Sequence, residues 1–326
     1  MLKQQAVQQG DGRGLAIEPS APFRLDLTAW ALRRRAHNEI DRFDASTYRR
    51  VLSVEGGPIA LSVTQDGGVE APNLSVAISG RPIDRRAELA ARAALDRLLG
   101  LTVDVSGFAA VAAQDPLLGP LAERMRGLRP PRFPTVFEAL VNGVACQQLS
   151  LAVGIHLLNR LTADRGLPTA ADTGGPRSFP GPEQLASAQP DELKRHGFSS
   201  AKARTIVETA QAIASGTLDL EALEGLDDQE SIRRLTSLRG IGRWTAEYVL
   251  LRGLGRLHVF PGDDVGAHNK LKRFLDIDGR LDYDSVARLV RRWQPHAGMV
   301  YFHLLLDSLP EARQIEAADS RSPGTP

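Results

Sequence analysis

Leu238-Arg239-Gly240-Ile241-Gly242-Arg243-Trp244-Thr245-Ala246-Glu247 is the stretch that decides the fold. Two glycines flank one apolar residue, and the chain opens at once onto a run of helical character from Arg243 to Leu251. Just upstream, Gln229 to Ser237 predicts a short helix, because Ile232 and Leu235 fall on one face. A helix, a tight turn and a second helix make a hairpin. Glycine is favoured where φ must be positive or a backbone must come close to a partner. Ile241 between the two glycines can plug into both helices and hold the turn. The first N–H groups of the second helix then point outward with the positive end of the helix dipole behind them. That is an anion site, and a nucleic-acid phosphate fits it.

This stretch resembles the helix-hairpin-helix of the base-excision DNA glycosylase superfamily. The resemblance continues in Val259-Phe260-Pro261-Gly262-Asp263-Asp264, about twenty residues on, where that superfamily carries its catalytic aspartate. Within the superfamily the chain is most similar to the DNA-3-methyladenine glycosylase II family, over most of residues 20–310. The resemblance implies a mostly α fold with an N-terminal α+β domain built on an antiparallel sheet. It also implies a monofunctional enzyme that flips alkylated purines out of duplex DNA and excises them by hydrolysis. Two other readings stand beside it: a non-catalytic helix-hairpin-helix DNA-binding protein, and a glycosylase for other damaged bases. The aspartate separates enzyme from module.

At 326 residues the chain is long for one core and predicts two or three packed units. The formal net charge is only +1, so no global field drives nucleic-acid binding and a DNA face must come from local arrangement. The single cysteine, Cys146, excludes a disulfide framework and a four-cysteine zinc or iron–sulfur site. It sits in an apolar helical segment, where an inert buried thiol is expected. Met1 to Gly14 has no apolar core that could serve as a signal sequence. No apolar run approaches the roughly 20 residues of a membrane span. The expectation is a cytoplasmic monomer with a flexible N-terminus over residues 1–20 and a flexible tail over 311–326.

Residues 21–107 read as the α+β domain. Phe23 to Leu27, Tyr48 to Val54, Ile59 to Gln65 and Leu74 to Ile78 alternate as strands do, and Asp84 to Leu99 is an amphipathic helix ended by Gly100. Arg33-Arg34-Arg35 reads as a solvated helix face. Residues 108–310 read as the helical glycosylase region, with the hairpin at 229–253. Asp115 to Met125 is a short helix. A long helix then opens with Thr135 and Glu138 at capping-box spacing, its apolar stripe running through Phe137, Leu140, Val141, Val144, Leu151 and Ile155. Gly166 to Pro182 reads as a surface loop. Helices follow over Pro190–His196 and Ser199–Ser215, and beyond the hairpin over Val265–Phe274, Ser285–Trp293 and Gly298–Ser308.

Cleaving an N-glycosidic bond passes through an oxocarbenium-like sugar. It needs an ionised carboxylate near the anomeric carbon, to stabilise positive charge or orient water. Asp263 and Asp264 follow a Pro-Gly turn at the mouth of a helix, where an Asp is as readily a cap as a catalyst. Residue chemistry leaves both roles open; the superfamily's motif implies Asp264 as catalyst and leaves Asp263 to cap or support. Bifunctional members place a Schiff-base lysine directly after the Gly-x-Gly-x element. Trp244 stands there, and the hairpin helix has no lysine, which implies hydrolysis without lyase chemistry.

Trp244 and Tyr248 share one helix face, and the matching aromatics of alkylation glycosylases line the base pocket. An aromatic face attracts a cationic alkylated purine by up to ~2 kcal/mol when dry. Leu305 stands where family members often add an aromatic in the last helix, with Tyr301 and Phe302 nearby. Cys146-Gln147-Gln148-Leu149-Ser150 resembles the segment that fills the hole left by a flipped nucleotide. Leu149 is the candidate wedge, against an ordinary core role, with Gln147 and Gln148 as groove or opposite-base contacts. Gly240, Gly242, Arg239, Arg243, Lys202 and Arg204 are candidate phosphate contacts. His258, His268, His296 and His303 show no metal-ligand spacing. By resemblance no cofactor is expected beyond a structural monovalent cation at hairpin carbonyls near Leu238 and Ile241. The implied partner is duplex DNA containing alkylated bases.

Overall fold

The computed structural model describes residues 8–9, 12–169 and 172–309. Its N-terminal part is one antiparallel sheet of β1 (Gln8–Gln9), β2 (Gly12–Ile17), β3 (Arg42–Asp44), β4 (Thr47–Val54), β5 (Gly57–Gln65) and β6 (Leu74–Ser79), in the order β1-β2-β6-β5-β4-β3. Helices α1 (Leu25–Arg33) and α2 (Arg85–Leu99) share its core, where Leu25, Leu32, Leu95 and Leu98 meet Tyr48, Leu61, Val63 and Val76. Along β6 buried and exposed residues alternate strictly, as the pleat requires of a sheet with one solvated face. Asp84 caps α2 by accepting the Ala87 N–H at 2.8 Å, and Gly100 closes it in the left-handed region.

Two expectations fail here. Phe23 to Leu27 is no strand: Leu25 opens α1, whose residues Leu25 and Leu27 to Leu32 are all buried, so an all-round apolar helix mimicked a strand's alternation. Gly12 to Ile17, expected within a flexible N-terminus, pairs with β6 from Arg13↔Ile78 to Ile17↔Leu74. The expected tail over 311–326 lies outside the described residues.

The helical part comprises α3 (Ser106–Ala113), α4 (Leu118–Arg124), α5 (Val136–Cys146), α6 (Leu151–Arg165), α7 (Pro182–Ala186), α8 (Pro190–Arg195), α9 (Ser200–Ala214), α10 (Asp228–Ser237), α11 (Arg243–Arg252), α12 (Val265–Leu275), α13 (Tyr283–Val290) and α14 (Ala297–Asp307). Between α6 and α7, the segment expected as a loop carries a small hairpin of β7 (Pro168–Thr169) and β8 (Asp172–Arg177). The predicted long helix is two. Thr135 caps α5 through the Glu138 N–H as expected, but the chain breaks after Cys146, Gln148 takes a φ of +54°, and Ser150 caps α6. The Glu138 carboxylate does not return to the cap. It receives Arg50 of β4 at 2.5 and 2.7 Å, and Arg50 also reaches Asp41 at 2.5 Å, a buried knot that ties the sheet to α5.

Two apolar cores meet at α11. Ala246, Tyr248, Val249 and Leu250 join the core of α5, α6, α9 and α10, while Leu251 joins the core of α1, α3, α4 and α12 to α14. Every α11 residue from Thr245 to Arg252 is buried, so the second hairpin helix is a shared wall.

Candidate active site

The hairpin turn forms as its glycines predict, but for different reasons at each. Gly240 has a φ of +74°, and an added Cβ would come within 2.3 Å of Thr205 Oγ1. Ile241 is buried between the helices and its N–H donates to the Leu238 carbonyl at 3.2 Å. Gly242 needs no special backbone, with a φ of −98°, and its missing Cβ faces open space. It is the N-cap of α11, and no side chain caps that end, so the first-turn N–H groups face outward over a helix N-terminus.

Asp264 sits at the N-cap of α12 and divides its oxygens. Oδ1 accepts the Ala267 N–H at 2.9 Å, and Oδ2 accepts the Tyr301 hydroxyl at 3.2 Å. The helix cap is therefore Asp264 itself and not Asp263, which instead pairs with Arg243 Nε at 2.9 Å. Burial pushes the Tyr301 hydroxyl well above its usual pKa, and the Asp264 charge adds to it, so this phenol is a donor at neutral pH. Of the two residues near Leu305, Tyr301 reaches the carboxylate while Phe302 is core, its ring beneath the Arg252 guanidinium. Leu305 is buried.

Trp244 and Tyr248 stack with ring centroids 5.6 Å apart and planes at 32°. Burial raises the Tyr248 pKa, the Arg34 and Arg252 charges oppose that, and the Asp264 charge adds to the rise. Behind this wall lies Arg34, in a run whose pattern predicts a solvated face. It ends α1 with a φ of +61°, is 4% exposed, and donates to Tyr248 Oη at 2.9 Å and Asn142 Oδ1 at 2.7 Å. Lys270 is likewise unmarked by any pattern in the sequence. A Cβ built on Gly266 would lie 3.1 Å from Asp264 Oδ1 and 3.9 Å from Lys270 Nζ, so amine and carboxylate flank one point. Burial lowers the Lys270 pKa and Asp264 raises it. No motif marks a residue six positions after the aspartate; only the turn of α12 brings it round.

The α5–α6 break displays the wedge candidate. Leu149 is 43% exposed, on a loop next to the hairpin rather than in a core. Gln147 is not free to read DNA with its amide N–H groups: Nε2 donates to the Gly240 carbonyl and to Thr245 Oγ1, both at 2.9 Å. Lys202, a candidate phosphate contact, donates to the Ala145 and Gln147 carbonyls at 3.0 and 2.7 Å and so closes the C-terminus of α5. Gln148, Arg204 and Arg239 are exposed, Arg239 lying 3.6 Å from Glu208. Gly240, Gly242, Trp244 and Tyr248 thus lie along the hairpin and α11, with the Leu149 loop tied to the hairpin through Gln147 and the Asp264 loop tied to α11 through Gly262 and Glu247. Cys146 is partly buried with its pKa raised by burial, which does not suit a nucleophile.

Among the described residues no group of three or more His, Cys, Asp or Glu could hold a metal ion. Among the described residues no helix is long and apolar enough to cross a membrane. A cavity of about 510 Å³ between α3, α4 and the 125–129 segment contains none of the site residues.

Residues 141–296 match the model for the HhH-GPD superfamily base excision DNA repair protein, and residues 15–134 match that for the AlkA N-terminal domain. The DNA-3-methyladenine glycosylase of Bacillus subtilis is 32% identical over 203 residues, 62% of this chain and 66% of that protein. DNA-3-methyladenine glycosylase 2 of Escherichia coli is 30% identical over 187 residues, 57% of this chain and 63% of that protein. The solved 3-methyladenine DNA-glycosylase from Archaeoglobus fulgidus superposes with a TM-score of 0.79 at 26% identity, covering 89% of this chain and 97% of that one. The chain spans 58%, 66% and 50% of three of the curated relatives it matches.

Proposed function

Because the chain belongs to the HhH-GPD superfamily of base excision DNA repair proteins, we propose that it is a monofunctional DNA glycosylase that hydrolytically excises alkylated purines from duplex DNA. The observation that carries this reading is the Asp264 carboxylate, held by Tyr301 and the α12 N-terminus on a loop tied through Glu247 to α11, the helix of Trp244 and Tyr248.

Duplex DNA docks a phosphate on the uncapped α11 N-terminus, where the backbone positions without reading sequence. Leu149 enters the stack as a nucleotide leaves it, and the flipped base lies against Trp244 and Tyr248. Ring alkylation gives the purine a formal positive charge, which the aromatic faces attract. As the glycosidic bond breaks, its electron pair moves to the base nitrogen and neutralises that charge, while positive charge grows on the sugar. Asp264 is more favourable to the transition state than to the substrate, because the charge has moved toward it. A water oxygen bonds to the anomeric carbon and gives up one proton, leaving free base and an abasic sugar.

The base departs neutral, so no strong general acid is required. With Trp244 in the lysine position of bifunctional members, strand cleavage does not follow. A monovalent cation beneath the Leu238–Ile241 carbonyls would support the turn, since neutral carbonyl oxygens suit such an ion. Nothing in the described fold resembles a membrane span, and a cytoplasmic monomer is proposed.

Incubation with methylated duplex should release free 3-methyladenine or 7-methylguanine and leave strands that break only on treatment with alkali. Binding without base release favours the module reading, and strand cleavage without alkali favours a lyase.

A further inference from the structure

Gly262 lies two residues before Asp264 and is held from three sides. Its N–H donates to Glu247 Oε2 at 2.9 Å, and its carbonyl accepts from His268 Nε2. On the third side, a Cβ built on Gly262 would meet the Tyr283 ring at 2.6 Å. Glu247 spends its other oxygen on the Tyr283 hydroxyl, 2.7 Å away. This carboxylate is 4% exposed. Burial raises its pKa, while the hydrogen bonds from Tyr283 and Gly262 pull it down. Arg243 closes the network from outside, pairing with Asp263 and lying 3.7 Å from the centre of the Tyr283 ring.

Glu247 belongs to α11, three residues after Trp244 and one before Tyr248. One buried helix therefore carries both the aromatic wall and the tether of the aspartate loop. A packed helix keeps its own side chains in fixed relation, so the wall and Gly262 cannot drift independently. That matters because a misplacement of about 1 Å in a reacting group can cost on the order of 10²-fold in rate.

Resting on the glycosylase reading above, we infer that Glu247 is a positioning residue whose contacts with Gly262 and Tyr283 set where Asp264 stands relative to the Trp244–Tyr248 wall. Being buried, it meets no DNA. It acts through Asp264 alone.

The test uses full-length Glu247→Ala, Glu247→Gln and Tyr283→Phe proteins, each checked for a wild-type melting profile. Three measurements are made: single-turnover release of methylated base, the Kd for undamaged duplex, and the ratio of Kd values for duplexes carrying a neutral tetrahydrofuran or a cationic pyrrolidine in place of one sugar. Wild type should favour the cation, because a placed carboxylate sees it. Glu247→Ala should slow excision on the order of 10²-fold and bring the ratio toward one, with undamaged binding unchanged. Glu247→Gln, which can still accept from Gly262, should stay close to wild type, and Tyr283→Phe, which removes one of the two contacts, should fall between. If Glu247→Ala does not fold, Tyr283→Phe carries the test.

A Glu247→Ala protein that keeps the wild-type ratio overturns the proposal, as does Tyr283→Phe keeping it where Glu247→Ala does not fold. So does a loss of undamaged binding in parallel with excision, which is what a merely structural role gives. A wild type that releases no methylated base overturns the glycosylase reading, and the tether with it.

Discussion

Asp264 does two things with two oxygens, and substitutions can separate them. Asn caps helices as well as Asp does, so Asp264→Asn should melt like wild type, whereas Asp264→Ala should lose about 1 kcal/mol with the cap. Asp263→Asn breaks a half-exposed pair worth about 0–1 kcal/mol and should keep most activity. Trp244→Leu removes a cation–π face worth up to ~2 kcal/mol, so cationic lesions should suffer up to about 30-fold while neutral ones change little. Competing excision of the two lesion types checks it. His303 sets a pH dependence of stability: it is 1% exposed, and burial lowers its pKa from 6.5 to about 4. Between those values the unfolded chain binds a proton that the folded chain refuses, so stability rises with pH across that window and falls away on acidification. The full shift corresponds to about 3 kcal/mol. Thermal melts of His303→Leu should lack that share of the wild-type decline between pH 6.5 and about 4.

The hairpin, the wedge loop and the aspartate loop are separate elements held to α11, and each should fail in its own way. Gly240→Ala is strained by a positive φ and by Thr205, so it should weaken the fold and binding together. Gly242→Ala meets open space, so it should fold normally yet weaken damaged and undamaged duplex alike, because the new methyl would stand at the proposed phosphate site. Leu149→Ala should spare undamaged binding and slow excision, since the proposed wedge would act only after a nucleotide has left the stack. Filter-binding and single-turnover assays on the three variants separate these outcomes. The hairpin was legible because Gly-Ile-Gly and the flanking periodicity lie within one short window. The break between α5 and α6 was not: Cys146 to Ser150 keeps an apolar rhythm, and only Gln147 and Lys202, bonding across to Gly240 and the end of α5, show why the chain turns there. Arg34 and Lys270 escaped for the same reason. Arg34 matters through its bond to the remote Tyr248 and Lys270 through the Asp264 charge that the turn of α12 brings near it, and no local pattern encodes either.

Over the whole molecule, the formal net charge of +1 limits how DNA can be held. Two candidate phosphate contacts are engaged within the protein, Arg243 by Asp263 and Lys202 by two carbonyls. Each neutralised phosphate contributes a slope of roughly −0.9 in log K against log salt, so a grip centred on α11 amides predicts about −2 to −4. Titrations at several salt concentrations test this; a steep slope places the grip elsewhere. The two-part architecture was foreseeable from composition and alternation, whereas the shared wall at α11 emerges only when both helical cores close on it. The central claim is that one carboxylate at the mouth of α12, positioned from that wall, breaks the glycosidic bond. It is tested most directly by single-turnover release of free methylated purine from duplex DNA by wild type, Asp264→Asn and Asp263→Asn, at matched protein binding. The account predicts release by wild type and by Asp263→Asn and none above background by Asp264→Asn, with all three binding the duplex; undiminished release by Asp264→Asn would contradict it.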